Sequence, residues 1–395
     1  MYVILAPNAG DEQVTPHEPD PLPLRTLDAA RLLGEVGPAR AALARHDGMS
    51  AGVVNPRLLL SPLLTREAVL SSKIEGTQTS VDEVLEYEAG IRPPKERYDD
   101  LQEVVNYRSA LRQAAKAVRT GPIDVPLILS MHGELMSGVR GGKKSPGQFR
   151  DEQNWIALQG QGLEAARFVP PAPGRIRDAM RDLVTYADGE DVDVLVQCAV
   201  VLAQFEILRP FADGNGRVGR LLVPLFLFQK RAIREPVFYM SEVLEGERER
   251  YYDGLRSITA AGDWTGWVAY FLDAVRRQAN ANVHRVETIL DLYVRTKPRI
   301  QSLTRSQYAA TILDAIFDQP VFTSSQFADK TGIDRRTVNR ALGKLTADGL
   351  LTVPKGGVGQ TPPYYVFSEL VDRTEEAAPV PPNPSPPDPP FAGHP

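Results

Sequence analysis

Cysteine is almost missing from this chain of 395 residues: Cys198 stands alone. One thiol cannot close an internal disulfide, which excludes a disulfide-stapled scaffold. Set in an apolar helical run, it reads as a small buried apolar residue. Long apolar runs are lacking too. The best candidate, Val194 to Leu208, is interrupted by Gln197 and Gln204, so nothing reaches the roughly 18 apolar residues of a membrane span. Positive charge is not in excess. A net charge of −5 argues against the whole molecule binding nucleic acid or a membrane surface. Histidine is scarce: His17, His46, His132, His284 and His394 are the full set, and none has metal-ligand spacing with another ligand. The start, Met1-Tyr2-Val3-Ile4-Leu5-Ala6-Pro7, lacks a basic region and soon turns acidic, unlike a signal peptide. Together these absences predict a reduced, cytoplasmic setting without a membrane partner.

What is present is ordinary in bulk and specific in places. Hydrophobic residues are 43% and charged residues 24% of the chain, proportions of a globular fold with room for about two or three domains. The periodicities predict a mainly α protein. Residues 1–110 begin with a Pro-rich acidic entry and continue with helical patterns at Thr26–Arg45, Pro62–Glu75 and Ser80–Ala89. Residues 111–280 form a catalytic-type core, helical apart from one hairpin. A helical connector follows at 281–303, then a separate unit at 304–370. Residues 371–395 are Pro-rich and acidic, and predict a disordered tail with polyproline II character.

The richest stretch is Arg209-Pro210-Phe211-Ala212-Asp213-Gly214-Asn215-Gly216-Arg217-Val218-Gly219-Arg220. Apolar stretches on both sides, Val194–Leu208 and Leu221–Phe228, make it a loop between two helices. A Gly-rich loop that opens a helix presents free N–H groups and the positive dipole end to an anion. Gly214, Asn215 and Gly216 supply that opening. Arg217 and Arg220 share one helix face and can fork onto phosphate oxygens. Asp213 offers the carboxylate oxygen that a magnesium ion bridging phosphates prefers.

This stretch resembles the signature of the Fic family, H-P-F-x-[DE]-G-N-G-R-x-x-R, at every fixed position but one. The resemblance implies a helical Fic (Fido) core that binds ATP with Mg2+ and transfers AMP to a Ser, Thr or Tyr hydroxyl of another protein or of itself. The catalytic set it implies is Asn215, Arg217 and the base histidine, whose position is held by Arg209. A guanidinium stays protonated and cannot take the hydroxyl proton. Losing a positioned base costs about 10²- to 10⁴-fold in rate. Many relatives carry another histidine in the preceding helix, where this chain has Leu202 ahead of Phe205-Glu206. The site as written should bind nucleotide well and transfer it poorly.

Two further stretches match the family. Ser71-Ser72-Lys73-Ile74-Glu75-Gly76 fits its inhibitory motif, [ST]-x-x-x-E-[GN], on a helix from Thr65 to Glu75 that Gly76 ends. The resemblance implies that Glu75 reaches Arg220, taking the place of the γ-phosphate and repelling it. Ser145 to Pro171, with Gly160 and Gly162 between β-prone runs, reads as a hairpin. It is similar to the family's flap, which adds a strand of target backbone and aligns its hydroxyl. Tyr251 or Tyr252 either lines the adenine pocket, as a family tyrosine near there does, or packs in the core.

The unit at 304–370 reads as a winged helix-turn-helix. Thr323 opens a short helix, Gly332 turns, and Asp334 caps a second helix to about Asp348. Leu350–Val353, Gly356-Gly357 and Tyr364–Phe367 form the wing. The second helix offers Arg335, Arg336, Asn339, Arg340 and Lys344 to phosphates and base edges in DNA; the other use of such a unit is a homodimer or partner interface. Two functions follow: an autoinhibited adenylyltransferase impaired by Arg209, or a non-catalytic nucleotide-binding regulator acting through the winged helix.

Overall fold

The computed structural model describes residues 2–5, 15–51, 61–139, 145–158, 166–191, 193–354 and 363–376. Most of the predicted tail lies outside the described residues, as do the predicted flap tip with Gly160 and Gly162 and the wing tip with Gly356 and Gly357. The fold is mainly α. Among the described residues no helix is long and apolar enough to cross a membrane.

The core is built around Val194–Leu208 (α7). Asp193 caps it by accepting the N–H groups of Leu195 and Val196 at 2.8 and 3.3 Å. Every residue from Leu195 to Leu208 is buried. A helix that is apolar all round must be surrounded, and this one packs against Ala29–Ala51 (α1), Pro173–Asp188 (α6), Asn215–Gln229 (α8), Arg248–Ala261 (α10) and Trp264–Thr304 (α11). Trp267 on α11 ties the layers together by donating from Nε1 to the Ala199 carbonyl at 2.8 Å.

On the other side of α8 lie Ser61–Ile74 (α2), Tyr98–Ala117 (α4) and Val125–Leu135 (α5). The helix α2 starts four residues before the predicted Thr65. Val81–Glu88 (α3) carries a full capping box, with Ser80 and Glu83 each accepting from the other's backbone N–H. Ser241–Gly246 (α9) completes this side and packs on α2.

The predicted connector is not a separate element. It is the second half of α11, one helix of 41 residues. Val275, Ala279, Val283, Val286, Ile289 and Leu292 continue the buried stripe at three- and four-residue spacing, so nothing interrupts the helix between the core and the C-terminal unit. That unit contains Ala309–Asp318 (α12), Val321–Thr323 (β3), Ser324–Thr331 (α13), Arg335–Ala347 (α14), Tyr364–Val366 (β4) and Ser368–Glu375 (α15). β3 and β4 pair antiparallel, and Thr352 and Val366 exchange two backbone hydrogen bonds of 2.9 Å. The unit packs on α2 and α3: the Tyr364 hydroxyl donates to Glu86 at 3.0 Å, and Gln326 Nε2 donates to the Glu88 carbonyl at 2.9 Å.

The second sheet joins the two ends of the early chain. Tyr2–Leu5 (β1) pairs antiparallel with Trp155–Leu158 (β2), Tyr2 opposite Leu158 and Leu5 opposite Trp155. On its other edge β2 bridges to Phe168.

His46 on α1 is 1% exposed, its ring edge-on to Phe238 at 5.5 Å. Burial pushes its pKa down to about 4. Because the folded pKa lies below the unfolded value near 6.5, the unfolded chain binds more protons between the two. Stability should therefore fall as pH drops from about 6.5 towards 4, by up to about 1.4 kcal/mol per pH unit from this one group. Urea midpoints of wild type and His46→Leu across that window check it: the variant's slope should be shallower, and identical slopes would contradict the assignment.

Candidate functional site

The site forms where α7 hands over to α8. Arg209 caps α7 at φ 41°, in the left-handed region, with its N–H on the Phe205 carbonyl at 3.1 Å. A non-glycine residue adopts this conformation at a cost of about 1 kcal/mol, and the loop holds it there. Arg150 Nε donates to the Arg209 carbonyl at 2.9 Å, and the Arg150 N–H donates to the Pro210 carbonyl at 2.9 Å. Burial, followed by the Arg209 charge, lowers the Arg150 pKa to about 10.

Phe211 is fully buried and stacks on His132, ring centroids 3.8 Å apart and 8° from parallel. Nδ1 of His132 accepts the Gly147 N–H at 3.0 Å, which leaves Nε2 to donate to the Asp213 carbonyl at 3.1 Å. Burial, above all else, lowers its pKa to about 4. His132 is thus a neutral ring that holds the loop with both nitrogens. No local spacing in the sequence points to it, since it lies 81 residues from Asp213.

Asn215 closes the loop on itself: Oδ1 accepts the Phe211 N–H at 2.9 Å and Nδ2 donates to the Phe211 carbonyl at 2.8 Å. Its side chain shapes the turn, while its backbone begins α8. Gly214 caps that helix at φ 75°, and a Cβ there would meet Met136 Sδ at 3.0 Å. At Gly216 a Cβ would lie 2.2 Å from Oε1 of Glu75. The Glu75 carboxylate, in the turn that follows α2, therefore sits directly on the first turn of α8, where an anion would bind.

Glu75 and Arg220 form the centre of the site. Arg220 Nη2 donates to Glu75 Oε1 at 2.7 Å. Arg220 also donates from Nε to Ser71 Oγ at 2.8 Å and from Nη2 to the Ser71 carbonyl at 2.9 Å. Its side chain is 2% exposed and that of Glu75 31%. Burial opposes ionisation of Glu75, but the charge and hydrogen bond of Arg220, with Arg217 and Arg209, outweigh it and hold the pKa below the usual carboxylate range. Burial likewise opposes the Arg220 charge, and the Glu75 carboxylate overcomes it to raise that pKa.

Arg217 is paired as well, a point the sequence did not signal. Its Nη1 donates to Glu103 on α4 at 2.7 Å, and Nη2 lies 3.9 Å from Asp213. Asp213 Oδ1 accepts the Gly214 N–H at 2.7 Å. At this site three guanidinium nitrogens, Arg209 Nε, Arg217 Nε and Arg220 Nη1, are buried without an acceptor among the described residues. Of the two tyrosines, Tyr251 turns into the core, fully buried, and donates to Glu206 at 3.1 Å. Tyr252 is only partly buried, and its pKa is raised by burial and by the Glu75 charge. No group of three His, Cys, Asp or Glu side chains suited to a metal occurs among the described residues. Arg335, Arg336, Asn339, Arg340 and Lys344 are all exposed on α14.

A family profile described as Fic/DOC family N-terminal matches residues 33–116, and one described as Fic/DOC family matches residues 122–227. Both matched stretches are similar to Fic/DOC family sequences. A probable protein adenylyltransferase of Aquifex aeolicus (strain VF5) is 28% identical over 203 residues, covering 50% of this chain and 55% of that protein. Protein adenylyltransferase fic-1 of Caenorhabditis elegans is 26% identical over 222 residues, covering 54% of this chain and 39% of that one. The chain thus spans only part of the length of these relatives. Among solved structures, a Fic family protein from Desulfovibrio desulfuricans G20 superposes with a TM-score of 0.55 at 21% identity, over 88% of this chain and 98% of that one. Fic-1 from C. elegans gives 0.50 at 19% identity, over 65% of this chain and 74% of that one. The likeness establishes a shared fold.

The Arg217–Glu103 pair is deeply buried, with side chains 4% and 11% exposed. Glu103→Ala leaves the guanidinium with only the looser 3.9 Å contact to Asp213 and should cost about 3–5 kcal/mol in chemical denaturation. Glu369→Ala, which removes the partly exposed partner of Arg295, should cost less than about 1 kcal/mol. Equal losses would show that burial does not govern the first pair.

Proposed function

We propose that the chain binds Mg2+–ATP at the N-terminus of α8 and is built to transfer AMP to protein hydroxyls, with Glu75 blocking the nucleotide and Arg209 replacing the base. The observation that carries this reading is the Glu75 carboxylate over Gly216, bonded to Arg220. A carboxylate held at a helix N-terminus by a buried arginine marks an anion site filled by a displaceable anion. The unpaired guanidinium N–H groups of Arg209, Arg217 and Arg220 are the donors that phosphate oxygens would take up.

In the transfer, the hydroxyl oxygen bonds to the α-phosphorus, the bond from it to the α–β bridging oxygen breaks, pyrophosphate leaves with the charge that develops on that oxygen, and the AMP phosphodiester keeps one negative charge. Arg217 and Arg220 answer that charge. The hydroxyl proton needs an acceptor, and Arg209 cannot be one. His132 cannot replace it, because both ring nitrogens are held. A single carboxylate, Asp213, fits the way Mg2+ is commonly held, by one or two carboxylates and substrate phosphates. Asp213 would hold the ion, whose chemistry is to neutralise phosphate charge. Tyr252, beside the site and only partly buried, is the residue assigned to adenine. The family names of the relatives support the transferred group.

One observation favours a second reading, a nucleotide-binding regulator. The exposed cations on α14 follow a capped helix and a turn at Gly332 and precede a paired strand segment, the arrangement of a winged helix that reads DNA in a major groove. A homodimer or partner contact through the same face is the other use.

Glu75→Gly should tighten Mg2+–ATP binding measured by calorimetry, since it removes a competitor for Arg220 and a like charge beside the phosphates; unchanged affinity would remove the inhibitory role. Arg209→His added to Glu75→Gly should raise labelled-AMP incorporation by at least about two orders of magnitude. Equal and appreciable labelling without Arg209→His would mean another group is the base, and none with it would favour the regulator. For that second reading, Arg335→Ala, Arg336→Ala or Arg340→Ala should weaken duplex binding with a shallower salt dependence. No salt-dependent binding by the intact protein would make the unit an interaction module.

A further inference from the structure

β2 is fastened to the signature loop where it begins. Besides the two Arg150 bonds to Arg209 and Pro210, Asn154 Nδ2 reaches the Phe211 carbonyl at 3.5 Å. The strand then has two edges. Ile156 turns both backbone groups to one side, its N–H to the Phe168 carbonyl at 2.9 Å and its carbonyl to the Arg167 N–H at 2.8 Å. Strand alternation aims the groups of Trp155 and Ala157 the other way. There they meet Leu5 and Val3 of β1.

An exposed edge beside a group-transfer site is where an extended polypeptide docks through its main chain. Here β1 holds that edge. The leading segment is also pinned on the far side of the flap. The His17 N–H donates to the Val169 carbonyl at 2.9 Å, Trp264 Nε1 donates to Asp20 at 2.7 Å, and Gln204 Nε2 donates to the Asp20 carbonyl at 3.0 Å. Its chemistry matters as much as its position. From Val3 to Val14 the sequence contains no serine, threonine or tyrosine. The register puts Leu5 at the Trp155 end, next to the loop, and Tyr2 at the far end, about 10 Å along the strand. An occupant with no hydroxyl at the near end fills the docking edge without being modified.

We infer that Tyr2–Leu5 is a resident blocker of the flap: it occupies in cis the edge that a segment of target polypeptide would take, and the target must displace it. The word target rests on the hydroxyl-modifying function proposed above; the occupancy does not. Being part of the same chain makes the blocker a strong competitor, since intramolecular attachment gives an effective concentration on the order of millimolar. This restraint acts on the polypeptide side and is separate from Glu75, which acts on the nucleotide side.

The test uses the full chain with Val3→Pro and Leu5→Pro, which removes the two N–H donors aimed at β2. Amide exchange is read residue by residue by NMR. Trp155 and Ala157 should exchange at least about tenfold faster than in wild type, while Ile156, bonded to Phe168, keeps its protection. Adding the peptide MYVILAP in trans should restore the protection. Unchanged exchange at Trp155 and Ala157, or no recovery with the peptide, would overturn the inference. A second arm places the proline changes in the Arg209→His, Glu75→Gly background with labelled ATP and an extended threonine-containing peptide. Labelling should rise with the blocker broken, and labelling that is appreciable but unaffected would overturn the blocking role. Faster exchange with rescue, but no labelling in any variant, would sustain the occupancy and sink the AMP-transfer function instead.

Discussion

Arg220 cannot be left alone. Its guanidinium is 2% exposed, and a buried charge without a partner costs several kcal/mol. Ser71 on α2 and Glu75, in the turn just after it, answer it. The helix α2 must therefore lie across the start of α8, and the Glu75 carboxylate must rest on Gly216. A larger residue at 216 would collide with the carboxylate. The pair thus fixes the position of α2, the shape of the site and the sign of the charge inside it.

The rest of the molecule holds α2 in that place. Glu67, further up the helix, accepts the Tyr107 hydroxyl at 3.1 Å and the Ser241 hydroxyl and N–H at 2.6 and 3.0 Å. Arg66 and Arg285 share Glu242, which links α2 to α9 and the long helix α11. The C-terminal unit packs on α2 and α3. Whatever binds the exposed cations of α14 therefore acts on a body that touches the helix leading into Glu75. On the other face, Arg150 and His132 clamp the Arg209–Asp213 loop, so the turn is held in place while the Glu75 carboxylate rests on it.

Much of this was legible in the residues. The extent of α7 follows from its apolar run, and the capped helices at Thr323 and Asp334 follow from short polar residues placed before apolar periodicity. The meeting of Glu75 and Arg220, 145 residues apart, came from family resemblance, since no local spacing encodes it. What escaped was of the same non-local kind. Glu103 finds Arg217 across 114 residues and His132 finds Asp213 across 81, and each looks like an ordinary helix residue in its own neighbourhood. β1 is four apolar residues whose partner lies 150 or more positions away, too short to show an alternation. The continuity of α11 was missed because polar residues such as Asn282 and Arg285 sit in its buried stripe, where they are paired with Tyr239 and Glu242.

The central claim is that nucleotide and the Glu75 carboxylate compete for one place. Hydrogen exchange of the wild-type chain, with and without saturating Mg2+–ATP, measures this without any substitution. If the carboxylate must leave Arg220 when phosphate enters, the amides from Ser71 to Thr77 should exchange faster in the complex while those of α8 are protected. ATP that binds and protects α8 with the Ser71–Thr77 amides unchanged or slowed would contradict the account.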